Sequence, residues 1–174
     1  MDAKTCIVGY GNPRRGDDGV GPLVVRRLRS ALGPRPWVRF FTLGQLEEGP
    51  LDEFCRASLL ILVDACAEAR AEEVEWRRVA PRLSPSPFTH HMDPGMFLWL
   101  MELTSGSSPE TWLVSVRGED FGPEEGISPG TMCRALRAQR EIEVFLKERA
   151  RSQALAHGAS GRDPGPLVLD AENA

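Results

Sequence analysis

The sequence predicts an α/β fold: a three-layer α/β/α sandwich around a mostly parallel, twisted sheet of about five strands. Three observations carry this. Short apolar runs, led by Leu59, Leu60, Ile61, Leu62 and Val63, alternate with longer segments of helical periodicity. Clusters of Gly, Pro and Asp separate the two kinds of segment. The chain has 174 residues, 41% apolar and 26% charged, which suits one globular domain of ordinary makeup.

Taken in order, residues 5–10 form an apolar run ending at glycine and tyrosine, which reads as a buried parallel strand. Residues 11–19 are a turn rich in Gly, Pro and Asp. Val20, Leu23, Val24, Leu28 and Leu32 then recur at helical spacing, with Arg26, Arg27 and Arg29 on the opposite face. Gly33 and Pro34 stop that helix. Residues 37–41 are a second strand. A short helix is expected within 46–54, interrupted by Gly49 and Pro50. Residues 59–64 form the clearest strand, five apolar side chains ending in Asp64. Residues 73–79 alternate with period two, the pattern of a half-exposed edge strand, which can run antiparallel. Residues 81–87 are a Pro/Ser loop. Residues 94–103 read as a helix with Pro94 in its first turn, and 112–116 as a further strand. Ser128 as N-cap and Pro129 at the first helical position open a long helix to about residue 149. One domain is expected over residues 1–150. Residues 151–174, with three glycines beyond 157 counting Gly165, read as a tail, mobile or docked through Leu167, Val168 and Leu169.

Composition removes several function classes. Twenty-one basic and 25 acidic residues leave a net charge of −4, without the basic stripe of a general nucleic-acid binder. No apolar run approaches the ~20 residues that span a bilayer, so no membrane insertion is expected. The first residues lack a basic segment followed by an apolar one, so no signal peptide is expected and the cytoplasm is the expected location. Cys6, Cys55, Cys66 and Cys133 fit no zinc spacing and are read as small buried hydrophobes.

In open α/β sheets, sites collect at the carboxyl ends of strands. Three features fall there or in loops that reach it: Asp17 and Asp18 in the first turn, Asp64, and His90 with His91 after Thr89. Two carboxylates and an imidazole suit a divalent transition metal with open coordination positions. Each feature has a structural alternative. Asp17 and Asp18 can cap the following helix, Asp64 can serve a turn or an ion pair, and His90 with His91 can be a hydrated loop pair.

Other motifs fail. A dinucleotide fingerprint requires G-x-G-x-x-G, but after Gly9 and Gly11 the third position holds Arg14. An acidic pair at the helix start would also repel a pyrophosphate. There is no Gly-Lys-Ser/Thr of a P-loop, no G-x-S-x-G elbow and no H-E-x-x-H helix.

Residues 7–12 (Ile-Val-Gly-Tyr-Gly-Asn), with Gly16, Asp17, Asp18, Gly19, Val20 and Gly21, resemble the signature of the [NiFe]-hydrogenase maturation endopeptidases. Leu62, Val63, Asp64 and Ala65 resemble that family's second motif, and residues 89–94 its third. Residues 114–119 and 126–129 are also similar. The resemblance spans residues 5 to about 148.

The resemblance implies a single α/β/α sandwich on a five-stranded sheet. It implies an endopeptidase that removes a C-terminal extension from the nickel-loaded precursor of the hydrogenase large subunit. Nickel then arrives with the precursor, and no tightly bound resident metal is expected. The residues implied to contact it are Asp18, Asp64 and His90, the last chosen over His91 because it directly follows Thr89. Asp17 or Asp18 would help activate water, or the metal would polarise the scissile carbonyl. Gly11, Asn12 and His91 are expected against the substrate. The sequence departs from the family at Pro13, Arg14 and Arg15, which make the rim of the site more basic, and at residues 42–46 in place of a Gly-Gly-Thr segment. A non-catalytic checkpoint or chaperone that binds the loaded precursor would use the same three residues, and a third reading, a nucleotide-binding α/β protein, is supported only by the glycine turn.

Overall fold

In the computed structural model the described residues are 4–68, 72–83 and 92–159. Five strands, β1 (Lys4–Tyr10), β2 (Val38–Leu43), β3 (Ala57–Cys66), β4 (Val74–Val79) and β5 (Glu110–Arg117), form one sheet in the order β2-β1-β3-β5-β4. β1 runs parallel to both β2 and β3, and β3 parallel to β5. β4 lies antiparallel at the edge, where its period-two pattern belongs.

The sheet is covered on both faces. Alternation along β1 and β3 sends Cys6, Val8, Leu60 and Leu62 to one side, where they meet Phe54, Phe97, Leu98 and Met101. Those partners come from α2 (Leu51–Cys55) and α3 (Pro94–Ser105). Phe54 sits edge-on to both Phe41 and Phe97, with ring centroids 5.1 and 6.1 Å apart. On the other side α1 (Val20–Leu32) buries Val24, Val25 and Leu28 and leaves Arg26, Arg27 and Arg29 outside. Double coverage explains why Leu59 to Val63 are all fully buried: a central parallel strand has no wet face. At about 2 kcal/mol per buried aliphatic side chain, this strand is a principal source of the fold's stability.

α1 rides unusually close to the sheet. A Cβ on Gly21 would strike the backbone carbonyls of Val63 and Tyr10, so only glycine lets the helix settle over the ends of β1 and β3.

Gly49 and Pro50 divide residues 46–55 into a single 3-10 turn, Leu46–Glu48, and α2. β3 and β5 stay paired to Cys66 and Arg117, so β3 runs past Asp64 instead of ending there. β2 continues to Leu43 because it stays in register with Tyr10 of β1.

α4 is Pro129–Ala159, longer than the sequence reading, because residues 150–156 are mostly good helix formers and no glycine occurs between Gly130 and Gly158. Ser128 caps it: its Oγ accepts the Thr131 N–H at 3.3 Å. The chain divides into two compact units, Met1–Arg140 and Glu141–Ala174. The sheet lies in the first. The described part of the second is the remainder of α4.

One expectation about cysteine is corrected. Cys6 is buried, Cys55 and Cys66 are half-buried, and Cys133 is exposed. Thr131, Arg134, Ala135 and Ala138 form the buried stripe of α4, and position 133 falls outside it. No described helix is long and apolar enough to cross a membrane.

Candidate active site

Strand order reverses beside β1. β2 lies on one side of it and β3 on the other, so their outgoing loops part and leave a crevice at the carboxyl ends. A pocket of about 270 Å³ occupies that crevice, lined by Tyr10, Gly11, Arg15, Asp18, Gln45, Glu47, Asp64, Met92 and Phe121 among others. Two of the sequence-selected acids, Asp18 and Asp64, therefore face one space.

The turn after β1 delivers Asp18. Gly11 has φ 128°, a region favouring glycine, and a Cβ there would collide with the Asp18 carbonyl. The Asn12 N–H donates to Asp18 Oδ2 at 2.8 Å, and Arg14 N–H donates to Asn12 Oδ1 at 3.0 Å. Asn12 thus folds its side chain into its own turn. It is exposed and is not among the residues lining the pocket, whereas Gly11 is. Neither Asp17 nor Asp18 caps α1, whose N-cap is Gly19 with no side-chain bond.

Asp17 points the opposite way and is completely buried. Its Oδ2 accepts the N–H groups of Glu119 at 2.7 Å and Asp120 at 3.0 Å, and the hydroxyls of Ser128 and Thr131 at 2.8 Å each. Its Oδ1 accepts the Ser128 N–H at 2.7 Å. Burial alone would raise its pKa, but the donations from Glu119, Asp120 and Ser128 outweigh it and bring the group down to about 2. The side chain ties the loop after β5 to the turn after β1, and that loop carries Phe121 to the pocket wall. Gly16 N–H to Glu124 O at 2.8 Å and Asp17 N–H to Asp120 O at 2.7 Å complete the joint.

Asp64 is half-buried on β3, where its Oδ1 accepts the Ala65 N–H at 2.8 Å. The Gly9–Val63 register puts Tyr10 next to Asp64, and the Tyr10 hydroxyl donates to its carboxylate. Burial pushes the Asp64 pKa up to about 7; Tyr10 and Ala65 pull against this, and the charge of Asp18 adds to it. Tyr10 itself is pushed well above its ordinary value, first by burial and then by the charge of Asp64.

Asp93 sets the start of α3. Its Oδ1 accepts the N–H groups of Gly95 at 2.9 Å and Met96 at 3.3 Å, and its Oδ2 pairs with Arg82 at 3.0 Å. An Asp-Pro pair opening a helix is a sequence signal for this cap. His90 and His91 lie outside the described residues. Among the described residues no group of three or more His, Cys, Asp or Glu side chains could hold a metal.

Tyr10, Gln45, Glu47 and Phe121 were not singled out in the sequence. Strand register could have found Tyr10, one position past the Gly9–Val63 pair. Nothing local marks Phe121.

No family model and no curated protein matches the sequence. Solved structures do match. The chain is similar to the [NiFe] hydrogenase maturation protease HycI from Thermococcus kodakarensis KOD1, with TM-score 0.67 and 25% identity over 83% of this chain and 93% of that one. It is similar to the hydrogenase maturating endopeptidase HybD from E. coli, with TM-score 0.65 and 21% identity over 84% and 93%. It also matches the hydrogenase 2 maturation peptidase from Thaumarchaeota archaeon SCGC_AB-539-E09, with TM-score 0.60 and 17% identity over 82% and 97%. Across more than four-fifths of its length, this chain has the fold of the [NiFe]-hydrogenase maturation proteases.

Proposed function

We propose that this protein is an endopeptidase that removes a C-terminal extension from the nickel-loaded large-subunit precursor of a [NiFe]-hydrogenase. The observation that carries the reading is the meeting of Asp18 and Asp64 in one pocket at the β1/β3 switch point. The likeness to solved maturation proteases supports it.

Nickel belongs to the substrate in this reading. Asp18 and Asp64 are its carboxylate ligands, and His90 is the imidazole. Burial keeps a proton on Asp64 up to about pH 7. A divalent ion held by Asp64 would displace that proton and supply the counter-charge the half-buried carboxylate lacks. Precursor without nickel offers no such compensation, so recognition tests for the metal. Asp18 is the group assigned to take a proton from the attacking water. Hydrolysis adds that water's oxygen to the scissile carbonyl carbon. The C–N bond breaks, and the departing amine takes up a proton. Asp17 does not serve as base, because five donors already occupy its oxygens.

Mass spectrometry of the precursor, nickel-loaded and nickel-free, after incubation with the protein tests the reading. Loss of a C-terminal peptide from the loaded form alone is expected. Asp18→Ala and Asp64→Ala should each slow that loss by about 100-fold or more. An intact loaded precursor, or equal cleavage of both forms, overturns it.

A further inference from the structure

The amino-terminal end of the sheet carries a second feature that the proteolytic reading does not use. From Gly19 to Leu46 the chain has five arginines and no acidic residue. These arginines leave the rest of the chain at −9, against −4 for the whole. Arg26, Arg27, Arg29, Arg35 and Arg39 are all exposed. Arg29, Arg35 and Arg39 border one cleft of about 710 Å³ together with Pro34, Pro36 and Val38. Arg26 and Arg27 border a shallower one of about 450 Å³ on the same helix.

Local structure accounts for little of this charge. Arg35 Nε donates to the Leu32 carbonyl at 3.1 Å, closing the end of α1, and Arg27 Nε donates to Gln139 at 2.9 Å. Among the described residues no carboxylate pairs with Arg29, Arg35 or Arg39. Trp37 is 39% exposed between Arg35 and Arg39 in sequence. Tryptophan and arginine are the residues that most often anchor protein interfaces. Pro34 and Pro36 hold the Arg35 backbone on either side and lower the cost of ordering it.

We propose that this cleft docks an acidic segment of the precursor, as a substrate-anchoring surface separate from the pocket of Asp18 and Asp64. The inference rests on the proteolytic reading above. Val38 opens β2 and Leu43 ends it, so the two sites stand at opposite ends of a six-residue strand, roughly 20 Å apart at ~3.3 Å per residue. Guanidinium forks match carboxylates in bidentate pairs. Charge balance selects a short protein segment. A long duplex or an anionic bilayer would also face the −9 carried by the rest of the molecule, which repels it.

The test compares wild type with the Arg29→Glu, Arg35→Glu, Arg39→Glu triple variant on nickel-loaded precursor, at low and high salt. None of these residues touches the candidate active site. The expected result is a KM raised about tenfold at low salt with kcat within about twofold, and loss of the salt dependence that wild-type KM shows. A KM within about twofold of wild type overturns the proposal. If circular dichroism shows that the triple variant does not fold, the corresponding Arg→Gln variant carries the same test, with a rise of about threefold expected. Direct binding of poly-L-glutamate, a short DNA duplex and phosphatidylserine vesicles forms the second arm. Binding of poly-L-glutamate by wild type and its loss in the variant supports the surface, even if wild type leaves the precursor uncut and the proteolytic reading falls. No binding of poly-L-glutamate, or equal binding of duplex or vesicles, overturns it.

Discussion

Replacing Asp17 with Asn should unfold the joint that holds one wall of the pocket. The carboxylate is wholly inaccessible to solvent, so little of its interaction is screened. Its pKa falls from 3.8 to about 2 on folding, which corresponds to about 2 kcal/mol of stability at neutral pH at 1.36 kcal/mol per unit. Asparagine loses that contribution and also turns an amide NH₂ toward groups that donate. A buried donor left facing donors costs about 1–3 kcal/mol more. The expected loss at pH 7 is therefore about 3–5 kcal/mol, or roughly 10 °C in Tm for a chain of this length. The sign of the pH dependence follows from the depressed pKa. The stabilisation is fully present above 3.8 and disappears as pH falls through about 2, so the gap between wild type and Asp17→Asn should narrow toward pH 2. Urea denaturation of both proteins at pH 7 and pH 3, read by tryptophan fluorescence, measures it. A loss below about 0.5 kcal/mol at pH 7, with unchanged m-value, would refute the argument that Asp17 is the tether.

Asp64 should behave in the reverse sense. Its folded pKa of about 7, raised first by burial, means that the folded state holds a proton that the unfolded state releases above 3.8. Wild type therefore loses stability from about pH 4 to pH 7 relative to Asp64→Asn, which does not titrate. Thermal unfolding at pH 4 and pH 8 should show the variant more stable only at the higher pH, and parallel values at both would exclude the shift. Gly21→Ala should destabilise by about 1–3 kcal/mol, because the new methyl meets the Val63 and Tyr10 carbonyls. A denaturation midpoint matching wild type would show that α1 can lift from the sheet at no cost.

Much of this protein is written locally. Continuous apolar runs located β1 and β3, which are buried on both faces, period-two alternation located β4, helical spacing located α1, and Pro94 marked the start of α3. The antiparallel edge position of β4 followed from its alternation of Val74 and Trp76 with charged neighbours. Asp18 and Asp64 were legible as site candidates, since Asp18 lies in the turn that follows the first apolar strand and Asp64 closes the apolar run of the third, where parallel sheets expose their loops.

What the chain alone left undecided was the division of labour between two adjacent acids. Asp17 and Asp18 are equivalent as letters, and each fitted a cap or a base; only the resemblance named Asp18 as a ligand. The 3-10 turn Gly16–Gly19 directs successive side chains roughly 120° apart. One therefore turns inward to five donors more than 100 positions away in sequence, and the other turns into the pocket. The Tyr10 hydroxyl on Asp64 and the Phe121 wall are likewise products of strand register and loop docking. These contacts join residues that no local pattern links. Sequence determined which groups were available at the carboxyl end of the sheet; the tertiary structure decided which of them are held by the protein and which face the pocket.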